Sequence, residues 1–257
     1  MGTAEIDEAA ITEASDVWVS PRLRVVRRSA RDAGWEPAVW SYIIPWHSLN
    51  SEPVSKSWTY ECVKRLLDIA GSVIGLVVAI PVMMVAAIAI KATSRGPVLF
   101  VQWRPGHGGR QFRCLKLRTM VVDAEQVLAQ DGQLRQQFAD GFKIRDDPRI
   151  TPTGAFLRRT SIDELPQFFN VILGDMSLVG PRPVVGPELE HFGEFRDKLH
   201  SVKPGLGGLW QVCGRSETSP AERIQMDISY VEHRSLSLDL RLMVLTFLTV
   251  VKRRGAC

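Results

Sequence analysis

Cysteine is scarce and scattered in this 257-residue chain: Cys62, Cys114, Cys213 and Cys257, with no CxxC pair among them. That spacing suits neither a zinc site nor a disulfide scaffold, and it points to a reducing, cytosolic environment. No charged segment followed by a short apolar one opens the sequence, so the N-terminus does not resemble a secretory signal. The first sixteen residues hold no Lys or Arg, although Glu5, Asp7, Glu8, Glu13 and Asp16 are there. Nor is the composition extreme. At 45% apolar and 23% charged residues a largely disordered or fibrous protein is excluded, and a single domain with extensions is expected. The net charge of +4 suits nucleic acid, phosphorylated metabolites or anionic lipid.

A second absence is more informative. From Ile69 to Ile90 the chain runs 22 residues without a charge, long enough for a membrane helix. A buried core helix is the alternative, but six turns apolar all round are unusual in a soluble chain of this size. Pro81 near the middle removes a backbone hydrogen bond and crowds the preceding turn. Lys64 and Arg65 precede the segment, and Lys91, Arg95, Arg104, Arg110 and Arg113 follow it, so both flanks favour the cytoplasmic side. A helix–break–helix that enters and leaves by one leaflet satisfies both facts, with a kinked spanning helix as the competitor. Backbone groups freed at the break need internal partners, for which Ser72 is a candidate. Upstream, residues 1–57 gather Trp18, Trp35, Trp40 and Trp46 with Arg22, Arg24, Arg27, Arg28 and Arg31. This is either an interfacial segment or a partly ordered tail folded over the domain.

Beyond residue 96 come short motifs. Val98–Val101 and Phe112–Leu117 alternate as strands of a hairpin, joined by Arg104-Pro105-Gly106-His107-Gly108-Gly109-Arg110. Such a loop is either a hairpin turn or a cradle for phosphate. Residues 121–140 suggest a solvated polar helix, and 146–149 a turn. In Arg158-Arg159-Thr160-Ser161-Ile162-Asp163-Glu164-Leu165-Pro166-Gln167, Ser161 and Glu164 have capping-box spacing. Asp163 as N-cap instead would place Pro166 in the first helical turn. Either register leaves one carboxylate free for chemistry. In Gly180-Pro181-Arg182-Pro183 two prolines stiffen the backbone around a cation, as a rigid turn or as an anion contact held at a set place. A second glycine-rich loop runs from Pro204 to Arg215. Leu236–Val251 is too short in its uncharged run to span, and suits a helix packed on the domain or lying on an anionic bilayer.

Taken in order, these motifs resemble the bacterial sugar transferase family, the monotopic phosphoglycosyl transferases, over about Lys64 to Arg254. The matching residues are Lys64-Arg65 with Asp68 and the apolar run before Gly96-Pro97-Val98; Gln102, Arg104, Gly106, Gly109 and Phe112 with Lys116-Leu117-Arg118-Thr119-Met120; Asp147-Pro148-Arg149-Ile150-Thr151; Leu157 to Gln167 with Asn170-Val171; and Gly174 to Pro183. Thr119 stands where the family usually has Ser, and Gly207 where Thr is expected. The multi-helix bundle of long members is not seen upstream, so the chain resembles a compact form with its own extension.

The resemblance implies a fold that is mainly α with a small β-hairpin. Residues 1–57 would be the extension, 58–95 a re-entrant membrane hairpin broken at Pro81, and 96–257 a cytosolic catalytic domain with amphipathic interfacial helices. It also implies transfer of a sugar 1-phosphate from a UDP-sugar to polyprenyl phosphate, the first membrane step of exopolysaccharide or capsule synthesis. Asp163 would be the nucleophile and form an aspartyl phosphosugar. Glu164 would assist, and Asp163 and Glu164 would hold Mg²⁺. Arg158, Arg182, Arg215, Lys116 and Arg118 would bind substrate. Expected partners are membrane lipid, downstream glycosyltransferases and, through the aromatic extension, a second copy; the expected place is the cytoplasmic face of a bacterial inner membrane. Nucleic acid is not expected, for want of a recognition helix or an aromatic platform. Rival readings are a catalytically silent membrane scaffold and a magnesium-dependent phosphohydrolase.

Overall fold

A computed structural model describes residues 56–141, 144, 146–213 and 220–251. The expected N-terminal extension lies almost wholly outside the described residues, as does Arg215. A long helix α1 (Trp58–Thr93) starts at Ser57, whose hydroxyl accepts the N–H of Tyr60 at 3.3 Å. The helix runs on across Pro81, so the expected helix–break–helix is met by one helical element with the proline inside it. The ring costs one backbone bond, while the remaining turns keep theirs, the only economical state for an apolar segment. Ser72 does not serve as a partner to a break: its hydroxyl is buried without a hydrogen bond, more than two turns before Pro81.

One stripe of α1 is buried: Asp68, Ser72, Leu76, Ala79, Ala86 and Ile90 recur at helical spacing. Its middle turns otherwise expose apolar side chains, among them Ile74, Val77, Val78, Met84, Val85 and Ile88. Both ends of the helix are tied to the domain. Near the start, Tyr60 and Lys64 reach Asp239 at 2.8 and 3.2 Å. Arg65 donates to the carbonyls of Val171 and Ile172 at 2.6 and 2.8 Å. Asp68 accepts from Ser177 Oγ at 3.0 Å and the Leu178 N–H at 2.9 Å. Near the end, Ala86 and Ile90 pack on Leu117 and Leu157, and Thr93 meets Thr153 at 2.9 Å.

The expected hairpin is present: β1 (Leu99–Pro105) pairs antiparallel with β2 (Gln111–Leu117), Leu99 opposite Leu117 and Pro105 opposite Gln111. Its loop contains a 3₁₀ turn, with Gly108 at φ 63° and Gly109 at φ 72°, which only glycine adopts without strain. The polar helix expected over 121–140 is instead two, α2 (Ala124–Gln130) and α3 (Gly132–Gly141). Asp131 divides them, accepting the N–H groups of Gln133 and Leu134 at 2.8 and 3.0 Å, the competition that makes Asp a cap rather than an interior residue.

Helices α4 (Pro152–Thr160) and α5 (Gln167–Leu173) follow, then strand β3 (Ser177–Val179). Short helices α6 (Gly186–Leu189) and α7 (Arg196–His200), joined by a 3₁₀ segment, lead to β4 (Gly205–Gly207) and α8 (Leu209–Cys213). The chain closes through α9 (Pro220–His233) and α10 (Leu236–Val251). Strands β3 and β4 pair in parallel, a second small sheet that the hairpin-only expectation did not include. The main core gathers Val179, Leu209, Trp210, Met226, Tyr230, Val231, Leu238 and Leu242 from β3, α8, α9 and α10. On the outer side of α10, Leu240, Val244, Phe247 and Leu248 are exposed, while its inner side buries Leu238, Asp239 and Leu242.

Candidate active site

The carboxylate pair is set in place by the end of α4. Thr151 caps that helix by accepting the Gly154 N–H at 2.9 Å, and Pro152 occupies its first position, where a missing N–H is harmless. The Asp147–Arg149 pair, at 2.7 Å, folds the preceding turn. The Arg149 carbonyl accepts the Val121 N–H at 2.9 Å, and Thr119 O accepts the Thr151 N–H at 3.1 Å. The Asp147–Thr151 motif therefore knits the end of the hairpin to the start of α4.

Neither capping register expected around the acidic pair is adopted. Ser161 is the residue that ends α4, at φ 58°, its N–H returned to the carbonyls of Arg158 and Leu157. A serine in this left-handed region is strained and needs its surroundings to hold it. Asp163 and Glu164 then sit on a single 3₁₀ turn (Ile162–Glu164), and α5 starts only after Pro166. The local capping argument fails because a reversal of the chain, not a helix start, follows Thr160.

Asp163 is 8% exposed. Burial, and next the charge of Glu164, raise its pKa against the pull of Lys116 and Arg158. Glu164 moves the other way. Burial alone would raise it, but Lys116, Arg182 and Arg104 together hold it below the ordinary carboxylate range. Lys116 Nζ stands 2.8 Å from Glu164 Oε1. Arg158 donates from Nε to Thr119 Oγ1 at 2.9 Å, so the Thr in the family's Ser position keeps the hydroxyl contact.

A shallow cleft opens beside Glu164, lined by Arg104, Lys116, Gln167, Arg182, Gly205 and Gln211 among others. Of the expected site residues, Lys116, Glu164 and Arg182 line this cleft, whereas Asp163 and Arg158 stand behind it, Asp163 next to Glu164 in the chain and within reach of the charges of Lys116 and Arg158. Arg118 does not join them. Its guanidinium donates to the Arg95 carbonyl and to Ser94 O and Oγ, at 3.2 and 2.9 Å for the latter two, and so holds the exit of α1. Arg104 and Gln167, which line the cleft, were not among the expected site residues. Arg104 was visible in the Gln102–Phe112 motif.

Among the described residues no group of three or more His, Cys, Asp and Glu is placed to hold a metal. Asp163 and Glu164 are the residues that would hold Mg²⁺, a metal commonly bound by one or two carboxylates plus substrate phosphates rather than by a protein cage; of the two, Glu164 lines the cleft.

Adjacent carboxylates with ionisations pushed apart, set among Lys and Arg in a domain that carries a long apolar helix, make up the candidate site. Comparison with known sequences places the chain in a family. The family profile described as bacterial sugar transferase matches residues 59–253, and the chain belongs to that family. It is 41% identical over 197 residues to the "UDP-galactose-lipid carrier transferase" of Erwinia amylovora, covering 75% of this chain and 41% of the relative. To the "Exopolysaccharide production protein ExoY" of Rhizobium meliloti it is 38% identical over 197 residues, covering 75% of this chain and 87% of the relative. To the "UDP-glucose:undecaprenyl-phosphate glucose-1-phosphate transferase" of Xanthomonas campestris pv. campestris it is 39% identical over 221 residues, covering 83% of this chain and 44% of the relative. The chain thus spans about two fifths of the length of the Erwinia and Xanthomonas relatives.

Proposed function

We propose that this protein transfers a sugar 1-phosphate from a UDP-sugar to polyprenyl phosphate, giving polyprenyl diphosphate sugar and UMP. This would be the first membrane step of exopolysaccharide or capsule synthesis, its product passing to downstream glycosyltransferases. The observation that carries the proposal is the pair Asp163–Glu164, held next to one another with ionisations pushed apart and surrounded by Lys116, Arg104, Arg158 and Arg182. Names of the relatives, which speak of lipid-carrier and undecaprenyl-phosphate transfer, support the same reading.

Asp163 is the nucleophile in this proposal. An Oδ attacks the sugar-bearing phosphorus, the bond to the bridging oxygen breaks, and UMP leaves with the electron pair. A phosphate oxygen of the polyprenyl phosphate then attacks the same phosphorus and frees the carboxylate. Covalent catalysis lets a water-soluble donor and a lipid-embedded acceptor react in turn. A carboxylate approaching a diphosphate meets repulsion that preorganised cations offset best in a secluded site, which is the part for Lys116, Arg104, Arg158 and Arg182. Mg²⁺ held through Asp163 and Glu164 would neutralise charge on the diphosphate.

The membrane arrangement belongs to the same proposal. Helix α1 is long and apolar enough to cross a bilayer, yet hydrogen bonds from both of its ends reach one domain. A polar domain cannot lie on both sides of a bilayer, so this supports a helix that enters and leaves by the cytoplasmic face, turning at Pro81. The exposed faces of α1 and α10 would lie in lipid, and the cleft at headgroup depth.

The test is UMP release from a panel of UDP-sugars in detergent with Mg²⁺, with and without undecaprenyl phosphate. Lipid-dependent release from one or two sugars is expected, and identifies the donor. Release independent of lipid would replace the transferase by a phosphohydrolase. No release from any donor would leave a silent scaffold.

A further inference from the structure

Prolines have no N–H to give to a strand ladder, and both proline carbonyls of the Pro181-Arg182-Pro183 strut are bonded instead. At one end the Pro181 carbonyl accepts the Gly205 N–H at 2.7 Å. At the other the Pro183 carbonyl accepts from Nη1 of Arg104, on β1. Between the two bonds stands Arg182, which lines the cleft. Its guanidinium carbon lies over the ring of the buried Trp210, 5.6 Å from the centroid. Arg104 is itself held. Its Nε and Nη2 both donate to Oε1 of Gln102, at 3.1 and 2.8 Å. One oxygen thus bridges one edge of the planar guanidinium and leaves Nη1 for the strut. Gln102 and Arg104 are two apart on β1 and share one face of the hairpin, opposite the buried Cys114 and Phe112. Arg104 is 7% exposed, and its hydrogen bonds among the described residues all go to neutral oxygens.

We infer that Gln102 is a positioning residue for the cleft: by fixing the plane of Arg104 it makes that arginine a clasp on the Pro183 carbonyl, and the clasp sets where the Arg182 guanidinium meets the donor diphosphate. The inference rests on the proposed transferase reading for its ligand, but not for its geometry. Gln102 is not among the residues that line the cleft; it acts through Arg104. A long side chain left to itself is a poor clasp, because its rotamer freedom must be given up each time the bond forms. With two of its N–H groups already bonded, the Arg104 fork is held ready. Without Gln102 Oε1 those N–H groups lose their acceptor inside the protein, the guanidinium is free to turn from Pro183, and the strut keeps only its Pro181 carbonyl bond. Misplacement by about 1 Å costs on the order of a hundredfold in rate in a preorganised site.

The experiment compares Gln102→Leu, Gln102→Glu, Arg104→Lys and the double variant Gln102→Leu/Arg104→Lys in detergent-solubilised full chain. Melting temperatures report folding. Arg104→Lys keeps a cation in the cleft wall but has no planar fork to join Gln102 to Pro183, so it carries the test if Gln102→Leu fails to fold. Two readouts follow. The first is the reactivity of Arg182 toward phenylglyoxal, followed by mass spectrometry of the modified peptide, which needs no turnover. Gln102→Leu and Arg104→Lys should each raise it several-fold. Gln102→Glu, which keeps an acceptor in the same place, should leave it near wild type. The second is UMP release. Gln102→Leu should raise the donor KM roughly tenfold although every cation of the cleft is still present. It should add little once Arg104 is already Lys, as expected for residues acting through one another. Wild-type Arg182 reactivity in the folded Gln102→Leu or Arg104→Lys would overturn the inference. So would additive losses in the double variant, or a Gln102→Glu as reactive at Arg182 as Gln102→Leu. A wild type that releases no UMP would defeat the transferase reading alone, and the reactivity measurement would still decide the role of Gln102.

Discussion

Asp163 and Glu164 are adjacent in the chain, yet their surroundings drive their protonation apart, which suits the nucleophile and anionic neighbour proposed for them. With Asp163 raised to about 6, UMP release should fall as pH drops below about 6, because the protonated carboxyl cannot attack. Glu164 stays ionised through that window. A rate that is flat from pH 7 to pH 5 would remove Asp163 from the attacking role. Asp163→Asn should abolish turnover and leave the protein no less stable. The sign follows from linkage: a carboxyl whose folded pKa is raised is a cost to the fold wherever it is ionised. The variant should therefore gain on the order of 1 kcal/mol at pH 8. That gain should vanish below about pH 4, where both forms are neutral. Thermal melts of wild type and variant at the two pH values check this. The carboxylates and Arg182 were legible in the sequence because an acidic pair and a cation between prolines are unusual locally. Arg104 was not singled out as a site residue, because its place in the cleft depends on its bond to the Pro183 carbonyl, far off in the chain.

At the level of elements, the pairing of β3 with β4 decides where Arg182 stands. Ser177 donates to Pro204 O at 2.8 Å and Gly180 to Gly207 O at 2.9 Å, so the strut begins where the ladder ends. The two backbones approach so closely that a Cβ on Gly205 would lie 2.1 Å from Gly180 N and 2.6 Å from its carbonyl oxygen. Gly205→Ala must push main chain against main chain. It should cost about 1–3 kcal/mol, the range for overpacking, seen as a lower melting temperature. It should cost more in UMP release than in stability, because Pro181 and Arg182 move with the strand. An active, fully stable Gly205→Ala would show that the strut is positioned from elsewhere. This sheet could not be read from the sequence: strands of three residues, one of them Gly-Leu-Gly, have no alternation to detect. The hairpin could, because Phe112–Leu117 alternates and the glycines mark its turn. The acidic turn was misread for a related reason. Capping patterns are local, whereas the left-handed Ser161 is imposed by the packing of α4 on the hairpin, with Arg158 reaching Thr119 at 2.9 Å.

Across the whole molecule, α1 and the domain form one body with a long uncovered apolar surface. The polar ties at its two ends have different makers. Tyr60, Lys64, Arg65 and Asp68 bond to α5, β3 and α10, while Arg118 and Thr153 hold residues 93–95. A helix fastened in this way cannot place its ends on opposite sides of a bilayer without tearing out one set of contacts. Apart from the exposed Thr93–Thr153 pair, those contacts are part-buried, and each leaves a charged group, carbonyl or hydroxyl unpaired when broken, at about 1–3 kcal/mol apiece. Composition alone left the spanning helix open, since length and hydropathy do not register what the ends are tied to. Cys62 is exposed beside the first turn of α1, which allows a direct test. In a variant with the other cysteines changed to serine, a membrane-impermeant maleimide should label Cys62 in inside-out membrane vesicles and not in intact spheroplasts. A companion Thr93→Cys variant, at the far end of the helix, should show the same sidedness. Opposite sidedness for the two positions would mean that α1 spans, and the ties at one end would have to open when the protein meets the membrane.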